Sequence, residues 1–235
     1  LAGGFALLWI AAPLIAWQTS QTLESSDALH IRPEDAAMLR QIARTTWRFF
    51  EDFVNAENHH LPPDNYQDSP LPKVAERTSP TNIGLYLLSA LSARDFGWIS
   101  LKDVLDRVDH TLITIQKMEM YRGHLYNWYD TRTLAVLPPA YISTVDSGNL
   151  AGHLITLSSA LKSWARNPMV HLLSNNDGIG DTLRVLQDRL DNIPDDMLHL
   201  RPLLRTVHAR IEGFADVYAT SPGLSRRARG CGCVV

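Results

Sequence analysis

The sequence predicts an all-α protein: the N-terminal half of a two-layer helical toroid, preceded by the end of a transmembrane helix. Three observations carry that expectation. Apolar residues recur at helical spacing in roughly six segments, with only traces of strand pattern between them. Adjacent segments alternate between apolar on nearly every side and amphipathic, as the inner and outer helices of a two-layer toroid would. Finally, positions 1–17 (LAGGFALLWIAAPLIAW) contain no charged residue.

Composition agrees with a folded chain. The 235 residues are 45% hydrophobic and 20% charged, with a formal net charge of −3. That apolar fraction excludes a disordered tail, and the charge balance gives no electrostatic case for nucleic acid. Two cysteines near the C-terminus cannot form a disulfide framework, which points to a reducing compartment. The chain opens with Leu1 inside an apolar run, so the expectation is a fragment of a longer protein.

The apolar run covers roughly 25 Å as a helix, slightly less than the hydrocarbon core of a bilayer. Trp9 and Trp17 suit a membrane interface, Pro13 is tolerated in a membrane helix, and no basic n-region or cleavage site marks a signal peptide. The expected organisation is therefore 1–18 as the end of a transmembrane helix and 19–33 as a linker. A partial toroid domain over 34–220 and an atypical tail over 221–235 complete it. Because the first basic residue after the apolar run is Arg32, membrane orientation cannot be read from charge.

Within the domain, Pro33, Glu34 and Asp35 suit the start of a helix that runs to about 54 through Trp47, Phe50 and Phe53. The stretch 55–79 contains four prolines and reads as a long functional loop. Ser79 and Pro80 open a second helix, apolar nearly all round and so expected to be buried, ending near Gly97. Ser100 caps an amphipathic third helix over 101–119. The aromatic segment 121–141 carries short strand-like runs, and Asp146 or Ser147 would cap a buried fourth helix over 148–164. Two more helices are expected at 179–193 and 196–218.

Several long motifs then become recognisable in order: LPPDNYQ (61–67), ERTSPTNIGLYLLS (76–89), ARDFGWIS (93–100), YRGHLYNWYDT (121–131) and PPAYISTVDSGNLAGHL (138–154). Together they resemble the glucoamylase-like domain in the middle of cyclic β-1,2-glucan synthases, to which domains of endo-β-1,2-glucanases are related. The resemblance covers about 17–161 and thins after Arg166. It implies an (α/α)6 toroid that transglycosylates linear β-1,2-glucan and closes it into a ring. It also implies a preceding membrane-embedded glycosyltransferase, a following phosphorylase-like domain, and a position at the bacterial inner membrane with the soluble domain on the cytoplasmic side. Endo-β-1,2-glucanase and a non-catalytic, membrane-tethered glucan-binding module are the alternatives.

A retaining transglycosylase needs two carboxyl groups about 5–5.5 Å apart, and an inverting hydrolase a wider pair. The candidate carboxylates are Asp64, Glu76, Asp130 and Asp146, all within the motifs, and none is assigned as nucleophile or general acid. The resemblance implies that the key glutamates lie outside these residues, leaving part of a binding cleft here. Asp146, Ser147 and Asn149 stand at a helix entrance, where a toroid's loops line its cleft. Trp128, Tyr129 and Asp130 combine flat apolar faces with hydrogen-bonding tips suited to sugar rings. Asp64, Asn65 and Tyr66 follow the stiff Pro62-Pro63 pair, while Arg77 and Asn82 flank a helix start. Arg77 could pair with either Asp64 or Asp146. The histidines lack metal-ligand spacing, and Cys231 and Cys233 have no partner pair, so neither a metal nor another cofactor is expected.

Overall fold

A computed structural model describes residues 2–19, 31–167 and 177–192, together with positions 202, 203, 206, 207, 209, 210 and 213. Most of the expected linker, the helix expected over 196–218 apart from those positions, and the tail with both cysteines lie outside the described residues. The chain divides into two compact units, 1–36 and 37–235.

The first unit holds helix α1 (Ala2–Thr19) and the opening of α2 (Pro33–Phe53). Pro33 occupies the first helical position and Glu34 and Asp35 the first turn; Arg32 pairs with both acids. α1 has no amphipathic face, and Leu7, Trp9, Ile10, Leu14 and Trp17 are all well exposed. The expected transmembrane segment is not shown: among the described residues no helix is long and apolar enough to cross a membrane. The 18 residues of α1 reach about 27 Å, against a hydrocarbon core of about 30 Å.

The second unit is mostly helical, with α3 (Pro80–Asp95), α4 (Leu101–Lys117), α5 (Thr144–Arg166) and α6 (Asp177–Asp191) following α2. Three short antiparallel pairs join the loops: β1 (Tyr66–Gln67) with β2 (Lys73–Val74), β3 (Arg77–Thr78) with β6 (Tyr129–Asp130), and β4 (Met120–Tyr121) with β5 (His124–Leu125). The long loop at 55–79 is thus more ordered than its prolines suggested, with a single 3₁₀ turn at Ala56–Asn58 and three short strands after Asp64.

α3 is buried on most sides through Ile83, Gly84, Tyr86, Leu87, Ala90, Leu91 and Ala93, as its sequence predicts. α4 is amphipathic and turns Val104, Val108, Thr111 and Thr114 inward; its start carries a full capping box between Ser100 and Asp103. α5 differs from expectation in two ways. Ser143 caps it, not Asp146 or Ser147, because the β-branched Thr144 and Val145 already lie in its first turn. It also buries only Leu157 and Trp164, while Val145 and Ile155 stay exposed, so the expected burial on every side is not observed.

α3 and α5 run parallel. Asn149 reaches Thr81, and four residues further on His153 packs on Gly84, so the contacts advance in the same direction along both helices. Their N-terminal ends therefore meet at the same end of the unit. The β3–β6 pair sits there too, since β3 leads directly into the α3 cap at Ser79.

Candidate functional site

The two aromatic- and proline-rich loops meet because β3 pairs with β6, placing Arg77 opposite Asp130 and Thr78 opposite Tyr129. Pro62 and Pro63 are fully buried and stiffen the approach to Asp64, whose amide donates to the Ala75 carbonyl. Arg77 resolves its two possible partners in favour of Asp64: Nη2 and Nε donate to Oδ2 at 2.8 and 3.1 Å. The same guanidinium lies over the Trp128 indole, 4.4 Å from the ring centroid. Asn82, in the first turn of α3, donates to the other Asp64 oxygen at 3.3 Å, and Asn65 donates to Oδ2 at 3.1 Å.

From Trp128 the network continues through Asn127. With the Asn127 amide oriented as its neighbours' hydrogen bonding requires, its nitrogen donates to Asp146 Oδ2 at 3.0 Å and its oxygen accepts from Trp128 Nε1 and from the Tyr141 hydroxyl, each at 2.7 Å. Asp64, Arg77, Asn82, Trp128 and Asp146 thus form one connected polar surface, reached from four separate parts of the sequence. Asn149 lies close by on α5 and donates to Thr81 Oγ1. Ser147 has a buried hydroxyl with no partner among the described residues.

Other candidates fall elsewhere or serve the fold. Tyr129 is fully buried; its hydroxyl donates to the Glu119 carbonyl and accepts from the Tyr126 amide. Burial pushes its phenol up to about 12, so it stays neutral, and it presents no face to a ligand. Asp130 closes its own turn, accepting from the Thr133 and Arg132 amides and the Thr133 hydroxyl. The Thr133 amide in particular holds the Asp130 carboxyl below its ordinary value. Tyr66 is exposed and stacks on Phe53, with ring centroids 5.2 Å apart. Glu76 binds Arg132 and the buried Asn58, a structural staple between the loops.

Asn127 and Tyr141 were missed by sequence reasoning. Asn127 left a faint signal, a lone amide inside the aromatic run YNWYD; Tyr141 left none. His153 has a buried Nδ1 without a partner among the described residues. No group of three or more His, Cys, Asp or Glu side chains that could hold a metal occurs among the described residues.

Comparison with known proteins gives this geometry a context. Residues 41–148 match a family described as "Protein of unknown function (DUF3131)". Two solved structures, both described as candidate glucoamylases, are similar to the chain. The one from Bacteroides caccae is 22% identical, with a TM-score of 0.45, over 52% of this chain and 30% of its own. The one from Bacteroides fragilis is 20% identical, also with a TM-score of 0.45, over 59% of this chain and 37% of its own. Cyclic β-(1,2)-glucan synthase NdvB of Rhizobium meliloti is 53% identical over 215 residues, 92% of this chain; the chain spans 8% of that relative's length. Along nearly its whole length, therefore, the chain is homologous to one segment of a cyclic β-(1,2)-glucan synthase.

Proposed function

We propose that this chain is part of the domain of a membrane-bound cyclic β-1,2-glucan synthase that transglycosylates linear β-1,2-glucan and closes it into a ring. The observation that carries the reading is the convergence of Asp64, Arg77, Asn82, Trp128 and Asp146 on one surface at the N-terminal ends of α3 and α5. Carboxylates and amides match sugar hydroxyls, and the indole supplies an apolar face of the kind that sugar C–H groups pack against. These residues bind and orient the glucan, with Asn65, Ser147 and Asn149 at the margins. The carboxyl pair that breaks and remakes the glycosidic bond lies, in this reading, outside the described residues, as does the remainder of an (α/α)6 toroid.

α1 is the end of a membrane helix in the same proposal. It is apolar on every side and exposed, a combination that lipid accommodates and water does not. The glycosyltransferase that makes the polymer would precede it, and a phosphorylase-like domain would follow the toroid. The soluble part then lies at the cytoplasmic face of a bacterial inner membrane. On its own the 235-residue chain is expected to be poorly soluble and inactive.

The test is to incubate the complete protein's middle domain with linear β-1,2-glucan and analyse the products by mass spectrometry. Rings lighter than linear chains of equal length by one water are expected. The Asp146→Asn and Asp64→Asn variants should lower their yield by about tenfold or more, the scale of one lost hydrogen bond to a charged group. Shorter linear chains alone would instead indicate an endo-β-1,2-glucanase. Unchanged glucan that still binds would indicate a non-catalytic module.

A further inference from the structure

Resting on that reading, we propose that Asn127 is a positioning residue, one that locks the Asp146 carboxylate and the Trp128 indole into a single glucan-contacting unit. Asn127 is only 6% exposed, so its side chain cannot itself be the surface a glucan meets. Its backbone is fixed by its own N–H, which donates to the Tyr141 carbonyl at 2.9 Å. The orientation of its side chain is dictated by its neighbours. An indole N–H donates and cannot accept, so the amide oxygen must face Trp128. The nitrogen then faces Asp146, whose carboxylate accepts and cannot donate. Only an asparagine-like group, with one accepting and one donating end, satisfies both. Among the described residues Asp146 is engaged through Oδ2, which leaves Oδ1 for a sugar hydroxyl.

The charged and titratable groups around this unit are Asp146 on α5, the Tyr141 phenol, Arg77 over the indole, and Asp64 paired with Arg77. Asn127→Asp keeps the shape and the acceptor for Trp128 but replaces the donor with a second carboxyl facing Asp146. Two carboxyls this close share one proton at low pH and repel each other once both ionise. The variant should therefore convert glucan best at acid pH and lose about tenfold or more in kcat/KM towards neutrality relative to the wild type over the same range.

A second readout is independent of activity. In the complete protein the Trp128 indole N–H resonance, identified by its disappearance in Trp128→Phe, should shift with pH in Asn127→Asp and stay constant in the wild type over the same range. The exchanged pair Asn127→Asp with Asp146→Asn restores one donor and one acceptor. It should fold at neutral pH even where the single variant does not, and its indole signal should not titrate. An indole signal that ignores pH in Asn127→Asp, or an exchanged pair no more stable than that single variant, overturns the positioning role. Wild-type protein that leaves linear β-1,2-glucan unbound and unconverted overturns the functional reading instead, while the indole titration still reports on Asn127.

Discussion

Glu76 shows at the scale of one residue how the two site-bearing loops are held. Burial alone would raise its carboxyl, but hydrogen bonds from Arg132, Asn58 and Thr131 outweigh that and hold it below the ordinary 4.5. Asn58 is buried and donates to both Glu76 and Thr131, and with an amide at position 76 either Asn58 or Arg132 meets an N–H group in place of a carboxylate oxygen. Because the folded-state value is the lower one, the stabilisation is complete above the unfolded value and is lost as pH falls through the folded one. Glu76→Gln should cost about 1–3 kcal/mol at neutral pH and flatten the loss of stability on acidification. Urea unfolding of both proteins from neutral pH down to about 3 measures this, and parallel acid limbs would contradict it. Asp130 acts in the same direction through its own turn, which is why a carboxylate attractive for sugar chemistry in the sequence belongs to the backbone in the structure.

Between elements, the parallel approach of α3 and α5 depends on an absent side chain. A Cβ added to Gly84 would stand 2.2 Å from the Nδ1 of His153 and 2.9 Å from its Cγ, so the imidazole would have to leave its place. Gly84→Ala should therefore destabilise the unit by about 1–3 kcal/mol despite its better helix propensity. Since Thr81 and Asn149 meet one turn away, it should also weaken the glucan binding proposed above. Denaturant titration beside a binding assay checks both, and a more stable Gly84→Ala would refute the first. α3 and α4 were legible because their caps and periodicity agree: Ser79-Pro80 at one start, the Ser100–Asp103 box at the other. The start of α5 was misplaced because Asp146 looks like a cap in sequence, while the true cap, Ser143, precedes two β-branched residues that disguise the first turn. The 121–124 hairpin was legible only as strand-like character; Arg122 and Gly123, both at positive φ, supply its tight turn.

Across residues 37–235, what the sequence could not convey is partnership over long distances. It offered Asp64, Arg77, Trp128 and Asp146 as separate candidates on separate motifs, and only the β3–β6 register and the Asn127 amide connect them. The same holds for Asp181, which nothing in the sequence distinguishes from other helix acids. Its side chain is fully buried on α6 and binds Arg40 of α2 at 3.0 and 2.6 Å, the Trp98 indole N–H at 2.9 Å, and Arg184 at 3.1 Å. Arg40 also donates to the Phe96 carbonyl and stacks on the Phe96 ring. This node ties α6 to α2 and to the turn between α3 and α4, where Gly178 lets α6 approach the Gly97 carbonyl closely. A buried ion pair is weak support for stability when compared with a hydrophobic replacement, but breaking one partner leaves an uncompensated charge. Asp181→Ala should therefore destabilise the unit by about 3–5 kcal/mol, because Arg40 and the Trp98 N–H both lose their acceptor. Removing the charge from both partners, as in Arg40→Met with Asp181→Leu, should recover much of that loss. Hydrogen exchange of α6 amides in the single and double variants distinguishes the outcomes. Selective loss of protection in Asp181→Ala, partly restored in the double variant, identifies the node as the clamp on α6. Equal protection in all three would mean that apolar packing holds the helix without it.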